Sequence, residues 1–131
     1  MKYLFTALIT LSLSTPLYAR TLAMICLGQD QNDQLYTLEL HIPVDRQDPN
    51  YILKLRYNDE YQSYSQVLLN KDYVAISAEK GLSFIYDDGK GSLYFSITRG
   101  HQELNQLAFN LGLPAFNQLN GSKDIECSTF R

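Results

Sequence analysis

The chain has no tryptophan and, in 131 residues, only two cysteines, two histidines and four prolines. Each shortage closes a route. Two distant histidines, His41 and His101, cannot assemble the four-donor set of a zinc site. Nor do they sit near a G-x-S-x-G element, which the sequence lacks, so a histidine-assisted nucleophile has no local signature. The cysteines, Cys26 and Cys127, stand near opposite ends of the chain. That is far from the C-x-x-C spacing that lowers a thiol pKa, and a dithiol redox site is excluded. A net charge of -3 supplies no attraction toward nucleic acid or an anionic membrane. Past the leader there is no like-charge block, no Pro-rich or Gly/Ser-rich linker and no fixed-period repeat, which implies one compact domain.

No apolar run reaches the roughly 20 residues of a membrane span. The longest, Tyr3 to Leu13, is interrupted by Thr6, Thr10 and Ser12. With Lys2 before it, Pro16 after it and the small Ala19 at the expected cut, residues 1–19 read as a secretory signal. Leu17 is large for the position three before that cut, and Thr21-Leu22-Ala23 offers a second site. The bulky Met24-Ile25 before Cys26 argues against a lipid anchor on that cysteine. Residues 20–131 are then a single exported β-rich domain, periplasmic or secreted, of about 110 residues. In an oxidising compartment Cys26 and Cys127 are expected to form a disulfide, which requires the first and last strands to be neighbours.

Tyr36, Leu38, Leu40 and Ile42 alternate with Thr37, Glu39 and His41, the period-2 pattern of a half-buried strand. Tyr51, Leu53, Leu55 and Tyr57 repeat it against Lys54 and Arg56. Further strands are expected at Leu22 to Leu27, Tyr61 to Leu69, Tyr73 to Ala78, Leu82 to Tyr86, Ser92 to Thr98 and Asp124 to Phe130. Asp87-Asp88-Gly89-Lys90-Gly91 is a strong hairpin signal. Leu104, Leu107, Ala108 and Leu111 recur at helical spacing before Gly112 and Pro114, which predicts a short helix near residues 101–111. The expected fold is mainly β, a small antiparallel barrel or sandwich of about seven or eight strands.

Carboxylates are plentiful, but Asp59-Glu60 and Asp87-Asp88 fall in expected turns, where Asp commonly shapes the backbone. Asp30-Gln31-Asn32-Asp33 opens like a calcium loop, yet Leu35 and His41 occupy the positions that need glycine and glutamate. No metal or other cofactor is expected. Asn120-Gly121-Ser122 matches a glycosylation sequon and also a hairpin turn; the turn is the preferred reading. What is abundant is tyrosine, ten in all, with Tyr51, Tyr57, Tyr61 and Tyr64 spread over two expected strands and their turn. Strand propensity accounts for much of this enrichment, but a shared tyrosine face would suit an interface.

A leader, a mature domain of this size, β-rich patterning and terminal cysteines resemble, in outline, the small periplasmic lysozyme inhibitors, which are barrel-like. The resemblance implies an inhibitor-like binding role and assigns no residue a part. The expectation is a non-enzymatic exported binding module acting on a protein or envelope partner, with Tyr51, Tyr57, Tyr61 and Tyr64 as candidate binding residues. A small carboxylate-dependent hydrolase and a structural component of an envelope or secretion assembly are the alternatives.

Overall fold

The computed structural model describes residues 19–58, 62–79, 81–98 and 104–130. Residues 1–18, expected to belong to a signal, Asp59-Glu60-Tyr61 and His101 lie outside them.

Alternating patterns become strands because each places one row of side chains on a common core. In β2 (Leu35–Pro43), Tyr36, Leu38 and Leu40 are buried while Thr37, Glu39 and His41 face outward. β3 (Asn50–Tyr57) pairs with it in register, so that Leu53 and Leu55 meet Leu40 and Leu38. With β1 (Arg20–Gln29), β4 (Tyr64–Asn70) and β9 (Lys123–Thr129), they form a five-stranded antiparallel sheet in the order β4-β3-β2-β1-β9. A turn of 3₁₀ helix, Lys71–Tyr73, leads into the second sheet. That sheet is a four-stranded meander of β5 (Val74–Ser77), β6 (Gly81–Asp87), β7 (Ser92–Thr98) and β8 (Leu104–Asn110). The two sheets make a sandwich.

The core is aromatic at its centre. Phe84 stacks on Phe95 with ring centroids 5.0 Å apart, and Tyr51 from the first sheet meets Phe84 edge-on at 6.0 Å. Leu38, Leu40, Leu53, Leu55 and Leu69 complete the layer. The Cys26–Cys127 disulfide joins directly opposed residues of β1 and β9, both sulfurs inside this core. The expected pairing of the terminal strands is therefore present.

One expectation is corrected. Residues 104–110 are strand β8, and the short helix is α1, Pro114–Asn117, beyond the predicted stop. The leucine spacing fits a helix, but pairing with β7 turns Leu107 and Phe109 toward the core and Gln106 and Ala108 outward. Pro114, read as a terminator, is at the start of α1, where its missing N–H costs nothing. Phe116 and the following Leu119 plug the sandwich, Phe116 lying 6.0 Å from Phe109. Asn120 then joins β8 as a strand would: its Oδ1 accepts from the Phe109 N–H and its Nδ2 donates to the Phe109 carbonyl, each at 2.8 Å. This commits the sequon's side chain to the fold.

The β6–β7 hairpin shows what the acidic turn is for. Asp87 Oδ1 accepts from the Gly89 N–H at 2.9 Å, and Gly89 takes a φ of 84°. Asp88 Oδ1 accepts from the N–H groups of Lys90 and Gly91, each at 2.8 Å, while Tyr86 donates to Oδ2 at 2.6 Å. The Tyr86 hydrogen bond, then those amides, hold the Asp88 carboxyl at about 2 against an ordinary 3.8. Burial, then Asp88, pushes the Tyr86 phenol up to about 12 from 10.0. A depressed carboxyl stabilises the fold fully above its unfolded pKa, so this contribution is complete above about pH 4 and is lost as the pH falls through about 2. The raised phenol has the opposite sign: its contribution is complete below pH 10.0 and is lost as the pH rises through about 12. The amide chemical shifts of Lys90 and Gly91 are expected to titrate near pH 2; an inflection near pH 4 instead would remove the Tyr86 contact from the account.

Candidate functional site

Among the described residues two charged side chains are buried, Asp30 and Asp48, each 1% exposed. Asp48 is paired with Arg20 at 2.9 Å. Asp30 opens onto a cleft.

The β1–β2 turn places it there. Asp30 Oδ1 accepts from the N–H groups of Asn32 at 2.8 Å and Gln34 at 3.0 Å, an arrangement in which an Asp side chain replaces the backbone of a turn. Asp33 takes a φ of 61°, a conformation that Asp tolerates better than most residues. On its outer side Asp33 meets Lys123 at 3.4 Å, an exposed pair worth little. Just before the turn, Gly28 lies opposite Tyr36. A Cβ there would stand 2.8 Å from the Tyr36 hydroxyl, so glycine is what allows that ring to lie flat against β1.

Asp30, Asn32 and Gln34 form one wall of a cavity of about 320 Å³; Tyr57, Ser63, Ser65, Ala115 and Gln118 complete the described lining. Tyr57 ends β3, the serines lead into β4, and the last two come from α1 and the residue after it. The helix thus does two jobs: Phe116 fills the core, and its neighbours shape the cleft. The Tyr57 hydroxyl reaches the Ala115 carbonyl at 3.5 Å and Gln118 Oε1 at 3.4 Å. Burial, then the Asp30 charge and its hydrogen bond, push the Tyr57 phenol well above its ordinary range. Tyr36 is also raised, by burial first, with a Ser122 contact opposing and Asp30 adding to the shift. Both phenols stay protonated; Tyr57 donates within the cleft, whereas the buried Tyr36 hydroxyl has no hydrogen-bond partner among the described residues.

The tyrosines expected to form one binding face do not do so. Tyr57 is buried and Tyr51 half-buried, both on the core side, whereas Tyr64 is exposed on the opposite face of the sheet, hydrogen-bonded to Gln66 at 2.7 Å. Tyr61 lies outside the described residues. Alternation explains the split: Tyr51 and Tyr57 are six positions apart on one strand and share its inward face. Tyr64, opposite Arg56, belongs with the outward row. Of the four, only Tyr57 reaches the cleft. His41 is outward as expected, 3.0 Å from Glu39.

Asp30, Gln34 and Gln118 escaped sequence reasoning because the Asp30–Asp33 stretch was tested only as a calcium loop. The usable signal was Gly28 within a strand, followed at once by an Asx-rich turn. Among the described residues no group of three or more His, Cys, Asp or Glu is placed to hold a metal ion. A second groove, about 240 Å³ and mostly apolar, runs past Val67, Leu69, Leu111 and Leu113, with Tyr86, Asp88 and Lys90 of the β6–β7 hairpin at its side. No family model, no curated protein and no solved structure matches the chain.

Proposed function

We propose that the protein is an exported, non-enzymatic binding module that engages a protein or envelope partner through the Asp30 cleft. The observation that carries this reading is the convergence on one cavity of a buried carboxylate with amide, hydroxyl and phenol groups from four separate segments. A few placed polar groups in a concave site are what recognition requires. The described lining holds no histidine, lysine or cysteine, and Asp30 Oδ1 is fixed by two backbone N–H groups. Such a carboxylate suits a stationary acceptor better than a group that must move protons. The disulfide is compatible with an oxidising, extracytoplasmic location, and no helix among the described residues is long and apolar enough to cross a membrane.

Capture from envelope extract with the oxidised domain tests the reading. Gln118→Ala, which leaves the core untouched, is expected to weaken partner binding by about tenfold, roughly 1.4 kcal/mol. Tyr64→Ala, on the outer sheet face, is expected to leave binding unchanged. The reverse pattern would move the interface to the outer face and sink the cleft.

A further inference from the structure

We infer that the group this cleft receives is an organic cation, an alkylammonium or guanidinium such as a lysine or arginine side chain carries. The inference rests on the reading of the cleft as a binding site.

Its first support is an anion without a counter-ion. Three ion pairs are formed among the described residues, Arg20–Asp48, His41–Glu39 and Lys123–Asp33, and none includes Asp30. Lys123, which reaches this turn from the start of β9, is 61% exposed and is paired with Asp33. Asp30 nevertheless is 1% exposed and lines the cavity. A carboxylate withdrawn from water is held here by two backbone N–H groups but by no opposite charge among the described residues, and a ligand that brings one adds a favourable pairing on binding.

The second support is the sense of the surrounding hydrogen bonds. The Tyr57 hydroxyl reaches two acceptors, the Ala115 carbonyl and Gln118 Oε1, and lies close enough to Asp30 for that charge to raise its pKa. Those groups and the phenol's own lone pairs are acceptors open to a cation entering the cleft, and the Ser63, Ser65, Asn32 and Gln34 side chains can accept as well as donate. An ammonium has three donors and no acceptor, and a guanidinium five and none, so either one complements the lining.

Competing ligand classes fit less well. An anion would face Asp30 with no cation in the described lining. A saccharide would want an exposed aromatic platform, and the one ring of the lining, Tyr57, is 8% exposed. At about 320 Å³ the cavity lies at the small end of the range for ligand pockets, about 300–1,000 Å³, and suits the end of one side chain better than an extended segment. The chain's net charge of -3 adds a weak long-range attraction of the required sign.

The test is an NMR titration of the disulfide-bonded domain with a lysine-containing tripeptide blocked at both ends. The amides of Asn32 and Gln34, which donate to Asp30 Oδ1, are expected to shift saturably, and the same peptide acetylated on its side chain is expected to leave them in place. Asp30→Asn keeps the turn's acceptor and removes the charge; it is expected to weaken binding by at least about tenfold. Should that variant misfold, Gln118→Ala is expected to weaken it by about fivefold with the melting temperature unchanged. Spermidine in place of the peptide distinguishes the source: equal binding assigns the site to free amines, peptide-only binding to side chains of a protein, and either supports the charge argument. Equal shifts with the acetylated peptide, or unmoved Asn32 and Gln34 amides with both cations, would overturn the inference. Partner capture that still depends on Gln118 would then leave the cleft standing as an interface of other chemistry, whereas capture indifferent to Gln118 would remove the interface itself.

Discussion

Replacing Cys26 and Cys127 together by alanine is expected to lower the free energy of unfolding by about 4–5 kcal/mol, read as a large fall in the urea midpoint. The bridge spans 101 positions of sequence, and chain-entropy reasoning assigns about 4.7 kcal/mol to a closed loop of about 100 residues. A domain of this size has only about 5–15 kcal/mol in total. Geometry makes the loss more acute. β9 is an edge strand with a ladder to β1 alone. Reduction by dithiothreitol is expected to act as the double substitution does. An unchanged urea midpoint for both would mean that the ladder alone suffices.

Arg20→Ala is expected to cost about 3–5 kcal/mol, the range for removing one partner of a buried ion pair. Asp48 is 1% exposed, and Arg20 at 2.9 Å supplies its compensating charge. Asp48 Oδ1 also accepts from the Asn50 N–H at 3.1 Å, so the pair ties the start of β1 to the entry into β3. Replacing both residues by apolar ones of similar volume is expected to restore much of the loss. The same contact bears on where the expected signal would be cut. A mature chain starting at Arg20 retains the pair and the pairing of Arg20, Thr21 and Leu22 with Pro43, Ile42 and His41, whereas one starting at Met24 loses all of it. Thermal melts of the two forms are expected to differ by well over 10 °C. If the two melted together, the ion pair would be ornamental and the choice between the two cuts structurally neutral.

How far these features were legible depends on whether the cause is local. β2 and β3 are plain in the chain because strict alternation reports which side chains are inside, and the β6–β7 turn is plain because Asp-Gly chemistry is a property of neighbouring residues. The terminal disulfide could be read because only one pairing of two cysteines exists. β8 could not, since leucines at 104, 107 and 111 satisfy a helical period and only the presence of β7 beside them selects a strand. Pro114 shows the same ambiguity, because a residue that cannot continue a helix is also well suited to begin one. The cleft was the least legible. Tyr57 was singled out for its ring and matters for its hydroxyl, and its partners Asp30 and Gln118 are brought to it from opposite ends of the sequence.

Strand order carries a final consequence, for assembly. Each described strand pairs with its immediate successor within its sheet, and the one exception is β9, which returns to β1. Local hairpins of this kind assemble quickly because little chain must be gathered for each. The exception is the last of the described strands in chain order, so until residues 123–129 emerge, β1 is a bare sheet edge open to adventitious pairing. Oxidation cannot jump ahead or choose wrongly, because the second sulfur arrives with the strand that covers the edge. Closure of the edge and locking of the bond therefore coincide, and with two cysteines there is no wrong pairing for a disulfide isomerase to sort.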